Sequence, residues 1–125
     1  MNHQTAILLI DDDPAHLHIY RMIVETAGFK GVPVLVSSSG LEFPQGERVD
    51  AVLLDYRLAP NISAAEVAKR ARERYPSVPI VILSDLYDAP ADTAPFVQGF
   101  VRKGSPEKLL ATLRELTLGV NRGLQ

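Results

Sequence analysis

Five short apolar runs separated by segments of helical periodicity constrain this chain more than any other feature. The runs fall at residues 6–10 (AILLI), 34–36 (VLV), 51–54 (AVLL), 80–83 (IVIL) and 100–101 (FV). Most are continuous rather than alternating, as in strands buried on both faces of a parallel sheet. Between them lie three amphipathic stretches. The first opens at Pro14 behind Asp13 as its cap. It carries His16, Ile19, Tyr20, Ile23, Val24 and Ala27 on one stripe and stops at Gly28. The second spans about 64–74, with Ser63 and Glu66 as a capping box and Pro76 beyond its end. The third opens at Ser105-Pro106-Glu107 and presents Leu109, Leu110, Leu113, Leu116 and Leu118 before Gly119.

Residues 37–49 and 85–98 occupy the places of two further helices in a regular alternation. The first contains Pro44 and the second Pro90 and Pro95. Proline removes a backbone donor and crowds the preceding turn, so one or two helical turns at most are expected in each. The alternation predicts an α/β domain: a doubly wound, five-stranded parallel sheet with right-handed crossovers and shortened second and fourth helices. The 125 residues are read as one domain, ordered over about 5–118, with 119–125 as a tail.

Composition narrows the function. Hydrophobic residues make up 46%, enough for a core, and the net charge of −2 lacks the basic excess of a nucleic-acid binder. The absence of cysteine removes disulfides, thiolate metal sites and a cysteine nucleophile. The N-terminus has no basic segment and no apolar run long enough for a signal or a membrane span, so a soluble, cytoplasmic protein is expected. One helix and a short tail after the last strand leave no room for a DNA-binding module, so no direct nucleic-acid contact is expected.

In a parallel sheet the ligand site lies at the carboxyl ends of the strands. Asp11, Asp12 and Asp13 follow the first run, Asp55 the third, Ser84 the fourth, and Lys103 the fifth. Clustered carboxylates repel one another unless a cation joins them. Oxygen ligands without Cys or a suitable His pair favour a hard ion such as Mg²⁺. Asp55 beside Mg²⁺ and the Lys103 ammonium is a workable phosphoryl acceptor, and the Ser84 hydroxyl can donate to a new phosphoryl group. Asp13 is read as a helix cap rather than a ligand. His16 and His18, two apart, point to different sides of a helix and do not pair on a metal; His16 is read as a core or rim histidine. His3 is read as part of a disordered terminus, Arg102 as a solvated neighbour, and Phe100 as a core aromatic.

The strings LLIDDDP, AVLLDYRLAP, VILSD and GFVRKGSP, in this order along nearly the whole chain, resemble the signature segments of response-regulator receiver domains. The resemblance implies a flavodoxin-like sheet of order 2-1-3-4-5. It implies Asp55 as phosphoacceptor, Asp12 as a direct Mg²⁺ ligand, Asp11 acting mainly through water, and the Arg57 backbone carbonyl as a further ligand. Ser84 becomes the switch hydroxyl, Phe100 the aromatic whose rotamer follows it, and Lys103 the phosphate-binding lysine. The donor would be a phosphohistidine on a sensor histidine kinase or a phosphotransfer protein of a two-component system or phosphorelay. The protein would be no enzyme beyond its own phosphoryl uptake and hydrolysis. It would act as a stand-alone receiver on an unknown downstream protein, with a homodimer through the last helix as a further possibility.

The chain departs from that pattern in the two clipped helices, in Asp85 after Ser84, in Gly104 after Lys103, and in Ala64 where glycine is usual. Asp85 is expected to repel phosphate or to reshape its loop. Two other readings stay open at this level. One is a receiver-like interaction module that is never phosphorylated. The other is a haloacid-dehalogenase-like phosphohydrolase with Asp11 as nucleophile and Asp13 as acid/base, which leaves Asp55 without a role.

Overall fold

The computed structural model describes residues 4–58 and 62–122, with side chains as far as Leu118; His3 and residues 123–125 lie outside them. The elements run β1 (Ala6–Asp11), α1 (Pro14–Thr26), β2 (Lys30–Leu35), β3 (Ala51–Asp55), α2 (Ala64–Arg74), β4 (Ile80–Ser84), β5 (Gly99–Arg102) and α3 (Pro106–Arg122). All strand pairings are parallel, and the sheet order is β2-β1-β3-β4-β5. The three central strands β1, β3 and β4 are buried along their whole length, as their unbroken apolar sequences require.

β2 begins four residues before the apolar run at 34–36 that marks it in the sequence. Gly31 and Pro33 hide its start. Both are tolerated because β2 is an edge strand, where a missing N–H need not break a ladder. Gly31 also has a packing role. A Cβ there would lie 2.9 Å from Arg21 Cγ and 3.2 Å from Val24 Cγ2, so its absence lets α1 approach the sheet.

Helix boundaries follow their local chemistry. Asp13 caps α1 by accepting from the Ala15 N–H at 2.9 Å, with Pro14 in the first turn. Gly28, at φ +95°, takes the left-handed conformation that lets Phe29 N–H return to the Val24 carbonyl. Ser63 caps α2 through the Glu66 N–H at 3.1 Å. Gly119 does not end the last helix, contrary to the sequence reading: α3 continues to Arg122, so the expected tail from 119 is helical at its start.

The buried stripe of α1 is also rotated from the expected one. Leu17 and Val24 are buried, whereas Ile19 is 51% exposed. His16 falls on the rim, with 46% of its side chain exposed.

The two faces of the sheet are covered differently. On one, α1 and α3 bring Leu17, Val24, Leu109 and Leu113 against Ile7, Leu9, Leu53 and Val81. On the other, α2 alone brings Ala64, Val67, Ala68 and Ala71 against Leu8, Ile10, Leu54 and Ile82. Loop residues Leu41, Phe43, Phe96 and Val97 complete that cover. Neither connection contains an α-helix among the described residues, so the shortened helices are reduced to turns. The second connection keeps only reverse turns at 90–96, where Thr93 N–H returns to Pro90 O and Phe96 N–H to Thr93 O.

Candidate functional site

The register of the sheet builds the site. Ile10 pairs with Leu54, so Asp11 and Asp55, the next residues of adjacent strands, stand side by side. Asp55 pairs with Leu83, and Ser84 with Arg102, which brings Ser84 and Lys103 to the same edge. The Lys103 N–H donates to the Ser84 carbonyl at 2.7 Å, tying the two residues together just past the sheet. Gly104, at φ +96°, then turns the chain into α3.

Asp55 is 2% exposed. Its Oδ1 accepts the Arg57 backbone N–H at 2.8 Å, and its Oδ2 lies 3.0 Å from Lys103 Nζ. Asp11 is 1% exposed. Its Oδ1 accepts the Asp13 N–H at 3.1 Å, while its buried Oδ2 has no hydrogen-bond partner. Burial, then the neighbouring charge of Asp55, push the Asp11 carboxyl up to about 8. Side-chain contacts with Asp55 and Asp12 add to the rise, and the Asp13 N–H opposes it. Burial beside a second carboxylate therefore disfavours the ionised form of Asp11, a cost that a bound cation would offset.

The pocket opens as a cleft of about 540 Å³ lined by Asp12, Asp13, His16, Asp55, Arg57, Asp85 and Lys103, among others. Asp12 is exposed on its rim. The Asp11 carboxylate oxygen that accepts no hydrogen bond, the adjacent Asp55 and the rim position of Asp12 form an oxygen donor set that fits a hard divalent cation such as Mg²⁺.

Ser84 is fully buried, and its Oγ accepts the Leu86 N–H at 3.1 Å, which leaves its own proton free to donate elsewhere. Phe100 is half-buried and packs against the α2-side core. Arg102 stacks on the Tyr87 ring at 4.0 Å.

Two residues make contacts that the sequence reading does not contain. Asp85 does not stand as a free negative charge: its Oδ2 lies 3.3 Å from the Arg57 guanidinium, across the mouth of the cleft. His16 joins the acidic cluster, with Nδ1 3.4 Å from Asp11 Oδ2 and Nε2 3.5 Å from Asp13 Oδ2. A search for paired histidines does not find it, because its partners are carboxylates at the end of β1 and at the cap of α1. Its i,i+3 spacing from the capping Asp13 was the available signal.

Comparison with known proteins agrees with this geometry. The family model of the response regulator receiver domain matches residues 7–114. The transcriptional regulatory protein GlrR of Escherichia coli is 29% identical over 107 residues, covering 82% of this chain and 24% of that protein. CseB of Streptomyces coelicolor is 31% identical over 89 residues, covering 71% of this chain and 37% of that protein. The chain thus spans only about a quarter to two-fifths of the length of these curated relatives. A CheY-like receiver domain from Methanospirillum hungatei superposes with a TM-score of 0.81 at 21% identity, over 97% of this chain and 99% of that one. TrrA of Thermotoga maritima, solved in complex with Mg²⁺ and a beryllium fluoride, gives 0.77 at 22% identity, over 90% and 99%. On the match across residues 7–114, this chain belongs to the response regulator receiver domain family of two-component signalling.

Proposed function

We propose that this receiver domain is switched by phosphorylation of Asp55 with a bound Mg²⁺. The observation that carries the reading is the environment of Asp55: a buried carboxylate held between Lys103 Nζ and the Arg57 N–H, beside a buried Asp11 oxygen that accepts no hydrogen bond. Asp12, Asp55 and the Arg57 carbonyl would hold the ion, with Asp11 acting mainly through water. When bound, it would neutralise charge on the phosphoryl oxygens.

A carboxylate oxygen of Asp55 attacks the phosphorus of a phosphohistidine. The O–P bond forms, the P–N bond breaks, and the electron pair leaves on the donor imidazole. Lys103 follows the charge from the Asp55 carboxylate onto the phosphoryl oxygens. Ser84 donates its free hydroxyl proton to the phosphoryl group. Phe100 on β5 follows it, in the switch that the family resemblance implies. The chain catalyses no turnover beyond its own phosphorylation and hydrolysis.

The donor is a sensor histidine kinase or phosphotransfer protein, and the target is a protein not identified by this chain. Most of the α3 leucine stripe is spent on the core, where Leu109 and Leu113 are buried. A homodimer through α3 would have to use residues such as Leu118, which is 50% exposed. No helix among the described residues is long and apolar enough to cross a membrane.

The test is intact mass after incubation with a small-molecule phosphodonor, with and without Mg²⁺, for wild type and Asp55→Asn. One phosphoryl adduct is expected on the wild type with Mg²⁺, and none without the ion or in the variant. A folded wild type that takes up no phosphoryl group would leave the chain as an interaction module that keeps the fold without the switch.

A further inference from the structure

His16 lines the cleft and has no part in the chemistry above. His16 lies in the first turn of α1, where Asp13 fixes the start of the helix and so fixes where the imidazole stands. Its ring is half-exposed and reaches back over β1, with Nδ1 3.4 Å from Asp11 Oδ2. That oxygen is buried and without a hydrogen-bond partner among the described residues. A ring nitrogen of His16, a carboxylate oxygen of Asp11 and one of Asp55 all lie within 4.8 Å of one another. Donors on a tetrahedral ion at about 2.1 Å stand about 3.4 Å apart, which is the separation of His16 Nδ1 from Asp11 Oδ2, so turning the exposed ring is the adjustment that a shared ion requires.

We propose that His16 supplies an imidazole ligand to the cation site of this receiver, so that the site prefers borderline transition-metal ions such as Zn²⁺, Co²⁺ and Ni²⁺ to Mg²⁺ by more than carboxylates alone would give. The inference rests on the cleft being the cation site of the phosphorylation reading, in which Asp11 acts on Mg²⁺ mainly through water; it adds a ligand of a different class and brings Asp11 Oδ2 directly to the transition ion. Imidazole nitrogen binds Zn²⁺, Co²⁺ and Ni²⁺ well and Mg²⁺ poorly, whereas carboxylate oxygens suit both groups. A mixed set of one nitrogen and two or three oxygens should hold Mg²⁺ through its oxygens only. It should hold the transition ions through oxygens and nitrogen together. In the same ring pose Nε2 lies 3.5 Å from Asp13 Oδ2, so Nδ1 is the nitrogen turned toward the ion while Asp13 stays beside Nε2 as the outer partner of the ring.

The experiment is titration of wild type, His16→Ala, His16→Gln and, as a control for nonspecific histidine binding, His18→Ala, with Mg²⁺ and separately with Zn²⁺ and Co²⁺. The readouts are affinity, Co²⁺ visible absorption, and the Zn²⁺-induced shift of the ring nitrogens in long-range ¹⁵N spectra. The His16 substitutions are expected to weaken Zn²⁺ and Co²⁺ by about tenfold or more while Mg²⁺ changes by less than about twofold. His18→Ala should change neither, and the His16 ring should be the one shifted by Zn²⁺. Equal loss for Mg²⁺ and Zn²⁺, or no change for either, would overturn the inference, as would a Zn²⁺ shift confined to another histidine. These outcomes separate from failure of the phosphorylation reading, because Mg²⁺-dependent labelling of Asp55 is measured independently and needs no contribution from His16.

Discussion

The two faces of the sheet bury comparable apolar strands by different means. The α1/α3 face is closed by two helices whose side chains interlock with β1, β3 and β4. The α2 face has one helix, and the rest of its cover is irregular chain. Irregular chain leaves backbone groups that no helix satisfies, so something else must hold them. Arg72 does much of this. Its guanidinium donates to the carbonyls of Tyr75 at 3.3 Å, Pro76 at 3.1 Å and Val78 at 2.7 Å beyond α2, and to Phe96 at 2.9 Å in the β4–β5 connection. It also contacts Gln98 Oε1, which accepts the Ile80 N–H at the start of β4. One side chain therefore joins α2, β4 and the segment that replaces a helix. The lesson is that packing carries one face and a polar clasp carries part of the other, so the two should fail differently.

The sharpest way to separate them starts with the largest effect. Leu113→Ala, at a fully buried position on the α3 side, should cost about 3 kcal/mol, read as a lower denaturant midpoint at unchanged slope. Its effect should be global. Arg72→Met keeps much of the stem and removes the donors, and should cost about 2 kcal/mol. Its signature should be local: faster amide exchange over the 85–98 connection, with the α1 and α3 amides protected as before. Uniform loss of protection in Arg72→Met would break the comparison. Thr93→Val removes the buried hydroxyl that donates to Pro90 O at 2.9 Å and should cost about 1 kcal/mol, again confined to the β4–β5 connection. Ser63→Ala removes the cap of α2 and should cost about 1 kcal/mol or slightly less, measured by the same unfolding curves.

Much of this arrangement was legible in the sequence where a signal was local. Continuous apolar runs marked the central strands, and Asp13, Ser63 and Gly28 marked helix ends through their own backbone chemistry. The site was legible because a parallel sheet places every strand end on one edge, so Asp11, Asp55, Ser84 and Lys103 had only one place to meet. What escaped the sequence depended on contacts between distant segments. The start of β2 was hidden by Gly31 and Pro33, whose acceptability follows from an edge position that only the sheet order supplies. The Arg72 clasp joins residues up to 26 apart, with no periodicity to announce it. Asp85 looked repulsive in isolation because its partner Arg57 lies on a different strand end.

The two faces meet at the carboxyl edge, and the account depends most on Asp55 being the residue that carries the phosphoryl group there. Borohydride reduction of the phosphorylated protein converts an acyl phosphate to homoserine, and peptide mass mapping then locates it. The account predicts homoserine at position 55 alone, formed only when Mg²⁺ was present during phosphorylation. Homoserine at position 11, or a phosphoryl group that survives reduction on a hydroxyl or imidazole side chain, would contradict it.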